Sequence, residues 1–99
     1  MVVHIVMFKF QEEHKTANIE KAKEMLENLM GTVPTLLSME VGLNFAEEER
    51  AMDLSIVTTF TDKEGLQEYA VHPEHLKVVA FIKSVVAYSK VVDYEKIKN

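Results

Sequence analysis

The segment Val2 to Phe10, VVHIVMFKF, is apolar on both of its alternating sides. His4, Val6, Phe8 and Phe10 share one side; Val3, Ile5 and Met7 share the other. Its β-branched and aromatic content, ended by the polar run Gln11-Glu12-Glu13-His14, predicts a strand. A strand that is apolar on both sides must be covered on both sides. Whatever sheet this chain builds, this strand belongs inside it, and both faces of that sheet need cover.

The chain can supply only part of that cover. Its 99 residues make one domain, read as spanning residues 1–99. A domain of this size buries only about 60–65% of the surface that its unfolded chain exposes. With 47% hydrophobic and 27% charged residues it has the composition of a globular protein, not of a disordered one. The absence of Cys excludes a disulfide scaffold, a thiolate zinc site and a Cys nucleophile. No run approaches the ~18 apolar residues of a membrane span. No basic flank or small-residue cleavage site precedes the first strand, so the expectation is a cytoplasmic protein. The net charge is −5, the lysines are scattered and Arg50 is the only arginine, which disfavours nucleic acid and anionic membranes as partners.

The remaining segments alternate between two periods. Residues 16–30 place Ile19, Ala22, Met25, Leu26, Leu29 and Met30 at helical steps, with Thr16 as the expected cap and Gly31 as the expected left-handed terminator before Pro34. Residues 36–45 alternate, with Leu37, Met39, Val41, Leu43 and Phe45 on one side. Residues 53–60 form another strand, with Leu54, Ile56 and Phe60 together. Thr61 and Glu64 have the spacing of a capping box, predicting a helix with Leu66, Tyr69 and Ala70 inward. His72-Pro73 should break it and start a fresh helix carrying Leu76, Val79, Ile82 and Val86, its stripe widened by Val78, Phe81 and Val85, because Pro suits a first helical position. Residues 88–94, YSKVVDY, read as a fourth strand.

The order is β-α-β-β-α-β with the second helix broken, the ferredoxin-like α+β plan of a four-stranded antiparallel sheet with helices on one face. The helices leave the other face bare, and the simplest cover is a second copy related by a two-fold axis. The expected partner is therefore another molecule of the same chain, held through the open sheet face.

The residues that carry a resemblance are HIVMFKF (His4 to Phe10), TTF (Thr58 to Phe60), YAVHPEHLKVV (Tyr69 to Val79) and VVDYE (Val91 to Glu95). They resemble the stress-responsive A/B barrel, or Dabb, domain family across nearly the whole chain, most specifically in Tyr69-x-x-His72-Pro73-x-His75. The resemblance implies a dimeric α+β barrel in which two ferredoxin-like subunits pack sheet against sheet. One plant member of the family is a cofactor-free polyketide cyclase, whose catalytic His and Tyr match His75 and Tyr69; His4 and His72 match further pocket positions. Some relatives hold a cation through backbone carbonyls, near Met30 to Leu36 here. The tyrosine-histidine pattern is shared by many members with no cyclase role, so it identifies the family and not the reaction.

These residues can do proton chemistry. Imidazole titrates near ~6.5, so His75 suits a general base, and a Tyr69 hydroxyl can donate to a carbonyl that gains negative charge. The competing reading is structural: Tyr69 packs on the sheet, His72 caps the following helix and His75 is solvated. A metal among His4, His72, Glu74 and His75 would need side chains converging from separate elements, and the expectation is no metal and no cofactor. The methionines fit core gap-filling. The isolated Gly31, Gly42 and Gly65 make no phosphate loop. Phe8 and Phe10 lack the basic setting of an RNA-binding sheet. The expected function is a homodimeric module that binds a small apolar ligand between sheet and helices. The alternatives are a cofactor-free cyclase or isomerase using His75 and Tyr69, and a cofactor-free monooxygenase.

Overall fold

In the computed structural model, which describes residues 1–97, the chain runs β1 (Val2–Phe10), α1 (Lys15–Glu27), β2 (Ser38–Leu43), β3 (Leu54–Phe60), α2 (Lys63–Val71), α3 (Pro73–Val85) and β4 (Val86–Glu95). The strands form one antiparallel sheet in the order β2-β3-β1-β4. This is the ferredoxin-like α+β fold that the alternation of periods predicts. The two-sided strand β1 takes an inner position, hydrogen-bonded to β3 on one side and β4 on the other.

One face of the sheet meets the helices. Val2, Phe8 and Phe10 of β1 and Leu54, Ile56 and Phe60 of β3 pack there against Ala22, Leu26, Tyr69, Val78 and Ile82 from the three helices. Each large apolar side chain so buried contributes about 1.5–3 kcal/mol, which is why this face organises the fold. Thr58 shares the face and is also buried; its hydroxyl donates to the His4 carbonyl at 3.1 Å. Asp53, just before β3, accepts the Phe10 N–H at 2.7 Å and lies 3.5 Å from Lys15 Nζ, tying the end of β1 to the start of α1.

The opposite face carries Val3, Ile5 and Met7 of β1, paired across with Tyr94, Val92 and Lys90 of β4, and Val57 of β3 opposite Ile5. Val92 is half exposed there, and Tyr88, Tyr94 and Met7 are exposed as well. No element of the chain packs over this face among the described residues.

Several local expectations shift. Helix α1 begins after His14, which is left-handed (φ 55°) and makes no side-chain cap, so Thr16 lies inside the helix and not at its start. The short turn out of β1 demands this conformation, and His tolerates it better than a β-branched residue does. Gly31 is left-handed as expected (φ 82°) but lies beyond the end of the helix, whose C-cap Asn28 remains right-handed. The cap of α2 is Asp62, whose carboxylate accepts the Gly65 N–H at 2.8 Å; the Thr61–Glu64 box is displaced by one residue. The inward stripe of α3 is Val78 and Ile82; Leu76 faces solvent, as do Met30 and Ala70. Val86 already belongs to β4. Phe45 lies beyond the end of β2 and is 97% exposed.

Candidate functional site between the sheet and the broken helix

The break between α2 and α3 forms as the proline requires. Pro73 stands at the first position of α3 and forces its predecessor out of the helical region, and His72 is extended (ψ 133°). His72 then caps α3: its Nδ1 accepts the Glu74 N–H at 3.1 Å. The ring is thereby committed to the backbone, which is the structural role weighed for it from the sequence.

The break swings His75 back over Tyr69. The two rings have centroids 4.1 Å apart, and Tyr69 is further flanked by Phe60 at 5.1 Å and by His4 at 6.4 Å. Tyr69 is 1% exposed, and its hydroxyl has no hydrogen-bond partner among the described residues. A buried orphan hydroxyl costs about 1–3 kcal/mol, so an unexplained one marks a place where something other than stability has set the residue. Burial pushes its pKa up to about 12. The hydroxyl therefore stays protonated and is available as a donor.

His75 is half-buried, not solvated. Its Nδ1 lies 3.2 Å from the Ala70 carbonyl. A carbonyl only accepts, so Nδ1 carries a proton, and in the neutral ring the lone pair is on Nε2. Burial is the main influence on its pKa and lowers it; the Ala70 carbonyl opposes this, while nearby His4 and His72 add to the lowering. The ring is accordingly neutral at pH 7, with a free basic nitrogen. On β1, His4 donates through Nδ1 to the carboxylate of Asp93, its direct partner across the β1–β4 ladder.

A cavity of about 210 Å3 opens beside these rings, between β1, β4 and α3. Val6, Phe8, Leu26, Ile56, Val78 and Ile82 make it mainly apolar; His4 and His75 are its inner polar groups, and Lys83 and Ser89 its exposed ones. Of the residues singled out from the sequence, His4 and His75 share this cavity. Tyr69 lies behind them and His72 caps α3; neither lines the wall. Asp93, Lys83 and Ser89 were not singled out. The period-two alternation of β4 puts Ser89, Val91 and Asp93 on the helix-facing side, but only pairing with β1 reveals that Ser89 stands opposite Phe8 and Asp93 opposite His4. Wider grooves lie elsewhere, one beside the β2–β3 connection, one between α2 and the end of β4 and one between the start of α2 and the segment before β2; none of these contains a histidine.

The sheet order, the broken helix and the histidine-lined cavity beneath it define a ferredoxin-like α+β protein with its candidate site between sheet and helices. The chain belongs to the stress responsive A/B barrel domain family, whose family model matches residues 2–96. It is 29% identical over 98 residues to the stress-response A/B barrel domain-containing protein At5g22580 of Arabidopsis thaliana, covering 92% of this chain and 82% of that protein. It is 25% identical over 77 residues to olivetolic acid cyclase of Cannabis sativa, covering 76% of each. Among solved structures it superimposes, with a TM-score of 0.88 and 29% identity, on a dimeric protein of unknown function and ferredoxin-like fold from Bacteroides fragilis, covering 96% of this chain and 95% of that one. Among the described residues, no helix is long and apolar enough to cross a membrane.

Proposed function

We propose that the protein is a cytoplasmic homodimer that binds a compact, mainly apolar small molecule in the cavity under α3, with His4 and His75 as the polar groups that orient it. The observation that carries this reading is the cavity itself. It is apolar on most of its wall and holds two imidazoles whose Nδ1 atoms are anchored, one to Asp93 and one to Ala70. Few polar groups set in an apolar concavity is the usual build of a ligand site. At about 210 Å3 it suits a single ring or a short branched chain, since roughly 150 Å3 already holds benzene. Residue positions 4, 69, 72 and 75 are offered as its functional set: His4 and His75 touching the ligand, His72 and Tyr69 supporting them.

The homodimer follows from the bare sheet face. Ile5, Met7, Val57, Val92 and Tyr94 would be covered by a second sheet, whereas Val3 is already buried within the chain, and burying several hundred Å2 of apolar surface is worth several kcal/mol at ~25 cal/mol per Å2. That the Bacteroides fragilis protein of the same fold is dimeric supports a dimer here.

A second reading has its own observations: the lone pair on His75 Nε2 and the orphan hydroxyl of Tyr69. In this reading the protein is a cofactor-free cyclase or isomerase. His75 Nε2 takes a proton from a carbon beside a carbonyl, and the C–H electron pair moves into an enolate. The Tyr69 hydroxyl donates a hydrogen bond to that oxygen, and either His75 returns the proton at a different carbon, or the enolate carbon bonds to a second carbonyl carbon and the alkoxide so formed takes the proton back from His75. Since Tyr69 lies behind the wall, its hydroxyl reaches a substrate only if entry parts His4 from His75.

The test is methyl NMR of the purified protein titrated with benzaldehyde, together with native mass spectrometry for any small molecule retained in purification. Shifts at Ile56, Val78 and Ile82 that disappear in Val79→Phe, which fills the cavity, support the site. An unshifted spectrum at millimolar benzaldehyde rejects it. Proton exchange at the α-carbon of a ketone such as acetophenone, abolished by His75→Ala, would favour the catalytic reading over simple binding.

A further inference from the structure

Resting on the ligand site proposed above, we infer that its ligands are carboxylates: the apolar body fills the cavity, and the carboxylate is held at the mouth by Lys83 and Ser89. The cavity lining contains no Asp or Glu, and its one formal charge is the ammonium of Lys83, in the last turn of α3. In a chain of net charge −5 that is not the ordinary surface. Most other lysines are spoken for: Lys9, Lys15, Lys23, Lys63 and Lys77 lie within 4.0 Å of a carboxylate, and Lys21 and Lys90 lie over aromatic rings, while Lys96 stands past the end of β4, away from the cavity lining. Among the described residues Lys83 has no such partner, nor does the Ser89 hydroxyl make a hydrogen bond.

The two come from different elements. Lys83 follows Ile82 on α3, and Ser89 stands on β4 opposite Phe8, so both border the same apolar wall. A lysine stem covers apolar surface while its ammonium stays in water, which suits the rim of a greasy cavity. The ammonium and the hydroxyl can both donate to one carboxylate, and charge-assisted bonds of this kind are about twice as strong as neutral ones. Inside, the neutral imidazole of His75 presents no charge to oppose an anion.

An anion at the mouth also alters His75. Negative charge nearby favours the protonated ring, so the lowered pKa of His75 should rise when the carboxylate binds. A neutral ligand of the same shape has no such effect.

The experiment compares benzoate with benzyl alcohol, titrated into the protein at low salt and followed by methyl NMR at Val78 and Ile82, with the His75 ring pKa read in each complex. Benzoate should bind about tenfold more tightly than benzyl alcohol, with the gap narrowing as salt is added. Lys83→Met should abolish the preference of benzoate over benzyl alcohol, and Lys83→Arg should retain it. Lys83 is exposed, so neither change threatens folding. Equal affinities in the wild type, or a preference that survives Lys83→Met, overturns the carboxylate assignment and leaves the cavity as a neutral site. If neither compound moves the methyl signals, the cavity reading falls and this inference falls with it.

Discussion

Tyr69 and His75 lie ring against ring, centroids 4.1 Å apart and tilted by 38°, although they belong to different helices separated by the His72-Pro73 break. Pro73 brings this about: an unbroken helix would carry His75 round to a different azimuth from Tyr69. The relationship leaves one hydroxyl unpaired and one imidazole neutral, and both can be tested.

Replacing Tyr69 by Phe removes a buried hydroxyl that bonds to nothing among the described residues and keeps the ring that fills the space. Stability should be unchanged or higher by up to about 1 kcal/mol, since a buried unsatisfied group is a cost. Urea unfolding measures this. A loss larger than about 1 kcal/mol would mean that the hydroxyl has a partner after all. Under the catalytic reading, the same variant loses turnover while folding normally.

The pH dependence of stability should carry the mark of His75. Burial lowers its pKa below the ordinary 6.5, helped by His4 and His72 and opposed by the Ala70 carbonyl. Between the two values the unfolded chain binds more protons than the folded one, so stability rises with pH through that window. Acidification below about 6.5 therefore destabilises the fold, progressively until the folded-state pKa is passed. Unfolding free energies collected from pH 7.5 downward, in wild type and His75→Gln, should diverge in that range, with the variant showing the flatter curve. Parallel curves would reject the assignment.

His72→Ala deletes the acceptor of the Glu74 N–H at the start of α3. Loss of an N-cap costs about 0.5–2 kcal/mol, and the cost here should appear as lower thermal stability and faster amide exchange in the first turn of α3. His72→Asn, which can cap in the same way, should recover most of it. If His72 instead contacted ligand, Asn would fail to restore binding while restoring stability.

The bare face of the sheet predicts association. At micromolar concentration, light scattering should report twice the chain mass of 11.3 kDa. Ile5→Glu with Val92→Glu sets two like charges opposite each other on that face, where β1 and β4 pair, and should give a monomer. A wild-type monomer at that concentration contradicts the proposed dimer.

Local residue patterns are enough to give the kind of element each segment becomes and which strand must sit inside the sheet. The period of two in β1, on both sides, required an inner strand with both faces covered. The switch to helical spacing after His14, and Pro73 after His72, located the helices and the break. These are local signals, and periodicity and proline geometry act within a few residues. Which side chains meet is set by packing between distant segments. Asp93 reaches His4, and Ser89 borders the cavity, because β4 pairs with β1 in one register of several that the same alternation allows. Asp62 rather than Thr61 caps α2 because packing of Gly65 and Tyr69 sets where that helix begins. The Tyr69 hydroxyl has no partner among the described residues because Phe60 and His4, distant in sequence, and His75, from across the break, close around it. Partners brought from far along the chain are chosen by the lowest free energy of the whole packed assembly, and no single segment carries that information.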